Sequence, residues 1–397
     1  MTTLAARDSQ VVPTPFHART AALCKSNAWS RWAGYTTVDI YDNVELEYFA
    51  IRNAATLFDV SPMIKYRITG PDSERYLNRL VTRDLSKLKP GRVSYVAWCN
   101  DAGHVMDDGT LFRFGESDFR LCSQEHHFCW LSDSAVGFDV SIVDETEEVA
   151  GLALQGPTSC AVLKRMGVDG IAELKPFGMI ALPFEDSELV ISRTGFTGDL
   201  GYELWIDPAL AVTLWDRLVE AGHLHGIRPI GSQALNLARI EAGFVQTNSD
   251  FMAVEQAVRP TRGRSPFEIG LGWLVDFDKG HFTGRRALLK EKEVGSRYCL
   301  VGLDIEGNKP ATGSLIYHGR NKEVGHVTSA MWSPTCKRNI ALASLRRPYG
   351  TEVTDGLSVE IYVLKELKWD KVKARCRVVE RPFFNPPRRW ATPAGDI

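Results

Sequence analysis

The sequence predicts an α+β body followed by a small all-β domain. Two observations carry that prediction. Through the first two-thirds of the chain, short alternating segments of strand type are interrupted by amphipathic helical runs, with hairpin-type turns between neighbouring strands, which implies antiparallel pairing. After Leu288-Leu289-Lys290 the texture changes, and short strands separated by Gly, Pro, Asn and Asp turns dominate to the end, as a small β-barrel or sandwich requires. The change places a boundary near residue 297, dividing a body (1–297) from a C-terminal domain (298–397).

The elements follow in order. The first fifteen or so residues are polar and irregular. Ile64 to Gly70 alternates as a strand, and Pro71-Asp72-Ser73 then starts a helix running through Leu80. Pro90-Gly91 turns the chain into a strand from Val93 to Cys99. Asn100-Asp101-Ala102-Gly103 makes a hairpin turn into a second strand, His104 to Phe114, and Phe119 to Cys122 reads as a third strand of the same sheet. Leu152 to Gln155 is a strand that ends at Gly156-Pro157 before a helix around Cys160 to Met166. Beyond the boundary the expected strands are Leu300 to Ile305, Val324 to Ser329, Ile340 to Ser344, Val359 to Leu364 and Lys373 to Val379. The last segment, Pro382 to Ile397, carries four prolines and is expected to wrap the surface.

Composition narrows the function. The 397 residues are 44% apolar and 24% charged, as in a globular protein with two or three domains. Forty-seven basic and 49 acidic residues nearly cancel, so no basic field favours a polynucleotide partner. No apolar run is long enough for a membrane span, and Met1 to Pro13 lacks a secretory core, which points to a cytoplasmic protein. The eight cysteines are scattered without a C-x-x-C pair, which argues against a metal site or a disulfide framework. Ten Trp and eighteen Phe suit large cores and an aromatic-lined pocket.

Several residues could carry chemistry. Gly195, Gly198 and Gly201 recur every three residues, and Glu203 follows inside the apolar run Tyr202 to Ile206. A carboxylate in such a strand faces water or a partner, because burying it unpaired is costly. The glycines mark unusual backbone angles or the close approach of a flat ligand. Asp107-Asp108 lies on a strand, so one Asp points inward and the other does not; an inward Asp could bind a ligand nitrogen or act as acid or base, and a solvated pair is the alternative. Tyr95 lies across the hairpin, near Asp108. His126-His127 cannot both face one metal from a regular element and reads as a surface or loop pair. Arg259 to Arg264 holds three arginines that could grip a carboxylate or phosphate or could simply be solvated. The phosphate-binding, nucleophile-elbow and zinc-protease signatures are missing.

Several motifs, in order, resemble the folate-dependent aminomethyltransferase family, whose founding member is the T-protein of the glycine cleavage system. They are Phe58-Asp59-Val60-Ser61, the Cys99-Asn100 turn with Asp107-Asp108, Ala153 to Pro157, Ser192 to Glu203, Arg239-Ile240-Glu241-Ala242-Gly243, Pro266-Phe267-Glu268 with Gly270 to Trp273, and Thr328-Ser329 with Ser333-Pro334-Thr335. The resemblance covers nearly the whole chain. It implies a three-part ring, with the body as two interleaved subdomains, around a channel that holds tetrahydrofolate. It also implies that Glu203 grips the pterin through two parallel hydrogen bonds, that Asp108 lies at the transferred carbon as the catalytic residue, and that Tyr95, Phe196, Tyr202 and Arg239 join Glu203 in binding the cofactor. No metal is implied, and the partner is a small-molecule donor, with the chain a monomer or homodimer.

Departures from the T-protein pattern bear on that donor. Phe196 stands where the T-protein has Tyr. Pro62 replaces the His of F-D-V-S-H-M, and Leu235 replaces the Arg of G-A-R-D. Both latter changes point toward the family's demethylases, which move a methyl group from a sulfonium, ammonium or aryl ether to N5 of folate. Trp32, Tyr35 and Tyr41 are the expected walls of the donor pocket. The alternative is aminomethyl transfer within glycine cleavage. A third branch, which supports iron–sulfur cluster assembly, carries K-G-C-Y-x-G-Q-E, and here its cysteine is His281.

Overall fold

The computed structural model describes residues 11–391 and 393. The expected irregular start therefore falls partly outside the described residues. Within them, Val12–Pro13 pairs in parallel with Tyr35–Ile40, and Phe16 is fully buried, so the chain is anchored earlier than its polar composition suggests.

Two large sheets build the body, beside a small one in the order Val12–Pro13, Tyr35–Ile40, Ala28–Trp32. The first has five strands in the order Arg92–Cys99, Val105–Gly115, Asp118–Ser123, Ile64–Thr69, Ser141–Asp144. Its hairpin closes at the Asn100 turn, where Gly103 takes a positive φ, and Tyr95 faces Thr110 while Ala97 faces Asp108. The second sheet has six strands in the order Met179–Phe184, Ser187–Ser192, Gly201–Ile206, Ala150–Gln155, Thr56–Asp59, Arg228–Pro229. Apolar side chains from both sheets pack on helices: Ser73–Leu80 against the first, and Ser159–Arg165 and Ala211–Gly222 against the second. The strands and helices expected from the sequence in this body are all present.

The C-terminal domain is a closed antiparallel barrel, which decides between barrel and sandwich. Its six strands follow the order Tyr298–Ile305, Arg338–Arg346, Lys322–Ser333, Leu315–His318, Leu357–Lys365, Lys368–Val379 and return to the first. Leu315–His318 escaped the sequence reading because four residues between Gly313 and Gly319 are too short to show a period.

Helix Ser232–Glu241 joins the parts. Its Glu241 is fully buried and accepts hydrogen bonds from Tyr48 and Arg52 of helix Val44–Asn53 and from Ser333 of the barrel. Burying this ion pair is tolerable because every charge has partners. Beyond the barrel the chain crosses back over the body. Phe383 and Phe384 donate their backbone N–H groups to the Glu241 carbonyl, and Arg388 pairs with the buried Asp199 at 2.6 Å. The tail thus crosses the surface as expected from Pro382 to Ala391, and its Arg389 and Trp390 line a cavity; residues 392 and 394–397 of the expected wrap lie outside the described residues.

Candidate active site

A cavity of about 1180 Å³ lies between the two body sheets, closed by helix Ser232–Glu241, the segment Phe244–Thr247 and the tail residues Arg389 and Trp390. Pockets for a single ligand usually enclose about 300–1,000 Å³, so this one has room for two reactants. Among the described residues no barrel strand lines it; the barrel backs helix Ser232–Glu241 from outside.

At one side of the cavity stands the loop from Arg193 to Gly201. Gln155, at the end of its strand, faces Gly201 in register. Its amide nitrogen donates to the carbonyls of Thr194 and Tyr202, both at 3.1 Å, and its amide oxygen accepts from the Thr197 hydroxyl at 2.9 Å. A methyl group at Gly195 or Gly201 would overlap that amide, and one at Gly198 would overlap Ala242. Protein packing therefore requires glycine at all three positions, with Gln155 clamping the loop, and Gly198 also takes a positive φ of 69°; all three line the cavity.

Two strand positions later, the buried Glu203 lines the cavity. Thr194 Oγ1 donates to its Oε2 at 2.6 Å, and among the described residues it is the only side chain donating to this carboxylate. Burial raises the Glu203 carboxyl above its ordinary value, with Thr194 pulling the other way. A buried carboxylate with one free acceptor edge fits a ligand that offers two parallel N–H groups, as a 2-amino-4-oxo pterin does. Its neighbour Tyr202 does not share this role. Successive strand residues face opposite ways, and Tyr202 is fully buried in the core beside Cys160, away from the cavity.

Across the cavity, Tyr95 donates its hydroxyl to Asp108 Oδ2 at 2.5 Å. Burial, and next the charge of Asp107, push the Asp108 carboxyl up to about 7, against hydrogen bonds from Tyr95 and Thr247. Thr247 Oγ1 lies 2.7 Å from Asp107 Oδ1 and 3.1 Å from Asp108 Oδ1, bridging the two acids. Asp107 is the inward one, with no exposure. It also corrects the reading of His127 as a surface residue: that ring is buried, its Nε2 3.2 Å from Asp107 and its Nδ1 3.0 Å from Glu255. Glu255 lies 128 residues along the chain from His127.

The remaining candidates divide. Phe196 lines the cavity and stacks on Phe244, with centroids 5.5 Å apart. Arg239 also lines it, but its guanidinium is occupied by Asp250, Asn236 and Ser329 of the barrel, so it acts as scaffold. Trp32 forms part of the wall, beside Phe58. Tyr35 and Tyr41 do not line the cavity, and Tyr41 is buried near Asp59, which raises its hydroxyl pKa further than burial alone. The Arg259–Arg264 loop stays outside, with Arg264 over the Tyr298 ring at 4.0 Å. Among the cations that line the cavity, Arg83, Lys87 and Lys89 lie in the segment between helix Ser73–Leu80 and strand Arg92–Cys99, and Arg92 opens that strand; irregular spacing leaves them without a periodic signal in the sequence.

Comparison with known proteins gives the family. The sequence model of the GCVT N-terminal domain matches residues 14–279, and that of the glycine cleavage T-protein C-terminal barrel domain matches residues 299–385. An aminomethyltransferase of Caldanaerobacter subterraneus subsp. tengcongensis is 34% identical over 328 residues, covering 80% of this chain and 84% of that protein. A trimethylamine-oxide aldolase of Ruegeria pomeroyi is 37% identical over 327 residues, covering 78% of this chain but 40% of that longer protein. The crystal structure of glycine cleavage system aminomethyltransferase T from Bartonella henselae superposes with a TM-score of 0.81 at 25% identity, over 94% of this chain and 98% of that one. With both halves matched in order, the chain belongs to the glycine cleavage T-protein family, whose members are transferases that use tetrahydrofolate.

Proposed function

We propose that this chain moves a methyl group from a small donor, a sulfonium, ammonium or aryl ether, to N5 of tetrahydrofolate. The observation that carries the reading is the wall formed by Trp32, Phe58, Val60, Met63 and Leu235. All five line the cavity and pack as one apolar cluster. Leu235 stands where the T-protein pattern has Arg, so the wall presents methyl and ring carbons in place of a cation, which suits a methylated group.

Glu203 supplies the paired acceptor for the pterin, and Phe196 with Phe244 offers a flat apolar face to the folate. When bound, tetrahydrofolate supplies N5 as the nucleophile for the transferred carbon. Transfer at carbon depends mostly on alignment, which the opposed walls impose. Asp108 balances the positive charge that develops on the folate nitrogen or takes its proton. A carboxyl held near 7 is suited to both roles at neutral pH, and Tyr95 fixes its direction. A relative named for a methylated amine oxide, the trimethylamine-oxide aldolase, is in keeping with a methylated donor.

The second reading is aminomethyl transfer, favoured by relatives named aminomethyltransferase, such as that of Bacillus subtilis at 33% identity over 87% of this chain. The deciding experiment incubates the protein with tetrahydrofolate and either a panel of methylated donors or an aminomethylated lipoyl carrier. Formation of 5-methyltetrahydrofolate is expected; 5,10-methylenetetrahydrofolate from the lipoyl carrier alone would overturn the methyl reading.

A further inference from the structure

Asp107 and Asp108 are adjacent acids that share one hydroxyl, yet their surroundings differ sharply. Asp107 accepts from four donors: the backbone N–H groups of Asp108 (2.9 Å) and Glu125 (3.1 Å), the Thr247 hydroxyl (2.7 Å) and the His127 ring (3.2 Å). Among the described residues, the side chains that hydrogen-bond Asp108 are two hydroxyls, those of Tyr95 and Thr247, each of which can accept as well as donate. Four donors favour the ionised form, and two hydroxyls tolerate either form.

We propose that His127 is a positioning residue of the channel: clasped between Asp107 and Glu255, its ring keeps Asp107 as the anion of the pair and so assigns the pair's single proton to Asp108. The proposal rests on Asp108 being the reacting carboxyl. The ring is protonated at neutral pH. Burial alone would lower its pKa, but hydrogen bonds to Asp107 and Glu255 and their charges outweigh that and raise it to about 9. The groups around it are Asp107 from strand Val105–Gly115, Glu255 from Val254–Gln256, Glu125 from the preceding turn, and Tyr66, whose hydroxyl accepts the His127 backbone N–H at 2.8 Å. The edge of Trp98 completes the enclosure at 5.4 Å between centroids. Three of these side chains are acids and none is a cation, so the imidazolium is the one positive charge among the groups named and offsets one of theirs. The clasp also ties Glu255 and the Thr247 segment to the sheet, with Asn248 and Gln256 both donating to Glu125.

Replacing the ring by a neutral amide removes that charge. Asp107 is fully buried and then takes the shared proton, while Asp108, beside a neutral acid, ionises more easily. The test follows the carboxyl carbon signal of Asp108, assigned by its loss in Asp108→Asn, through a pH titration of ¹³C-labelled protein without donor or turnover. In the native protein it titrates near 7; in His127→Gln it should titrate at least one pH unit lower. Folate affinity should stay within threefold. An unmoved Asp108 titration in a folded His127→Gln variant overturns the proposal, as does a shift toward alkaline pH. Should that variant not fold, Glu255→Gln alters the same clasp from its exposed side. The imidazole titration must then fall below 9 and the Asp108 titration must move down with it; if neither moves, the clasp is only structural. Failure of methyl transfer with the titration shift intact would count against the functional reading alone.

Discussion

Replacing Asp108 by Asn should abolish transfer and stabilise the protein above neutral pH. The ordinary aspartate value is 3.8, whereas in the folded chain burial and the charge of Asp107 hold Asp108 at about 7. Between those values the folded state keeps a proton that the unfolded state has released. Stability must therefore fall as pH rises through that window, by about 1.4 kcal/mol per pH unit. The full window amounts to about 4 kcal/mol; coupling to Asp107 and partial exposure to the channel bring the expectation to about 2–4 kcal/mol. An Asn has no such proton to lose. Urea unfolding at a series of pH values should show the two proteins close near pH 4 and the variant ahead by that margin at pH 8. Calorimetry should show the same divergence in the temperature of the body's transition. A stability gap that is the same at both ends of the range would refute the idea that a buried, shifted Asp108 costs the fold its stability.

Three further outcomes follow from the geometry. Glu203→Gln keeps the shape but loses the charge of the paired acceptor, and each hydrogen bond to a charged group is worth roughly 1.5–3 kcal/mol, so folate should bind about ten- to a hundredfold or more weakly by titration calorimetry without loss of fold stability. Gly195→Ala forces a methyl into the Gln155 amide and should cost about 1–3 kcal/mol in urea unfolding, and most of that cost should vanish in a Gln155→Ala background, which a double-mutant cycle will reveal. Glu241→Gln leaves the buried Arg52 with Asp199 as its remaining carboxylate, and its one amide oxygen can accept from Arg52 or from the Tyr48 and Ser333 hydroxyls but not from both sides. It should cost about 3–5 kcal/mol, and calorimetry should show the barrel separating from the body at lower temperature.

What could be read from the sequence depended on whether a residue's meaning was local. Glu203 and Asp108 stand out because each interrupts an apolar strand, and strand periodicity states that a buried acid needs a partner. The same periodicity should have removed Tyr202 from the site, since it precedes Glu203 and must face the other way. The barrel was visible in its turn-separated strands, except where Leu315–His318 was too short to show a pattern. His127 was opaque for a different reason: its partners lie 20 and 128 residues away, and nothing beside it in the chain hints at either. Arg239 matched a site motif but is bound to Asp250 and Ser329, a destination fixed only when the barrel docks. The glycine loop shows the boundary most clearly. Three glycines at equal spacing record that something comes too close for a side chain, but the record does not say what. At Gly198 it is Ala242; at Gly195 and Gly201 it is Gln155, 40 residues before Gly195 on the neighbouring strand, whose amide fills the space and holds Thr194 so that its hydroxyl can reach Glu203. The loop supports the carboxylate that faces the cavity, and a spacing rule alone could never distinguish such support from direct contact with a ligand.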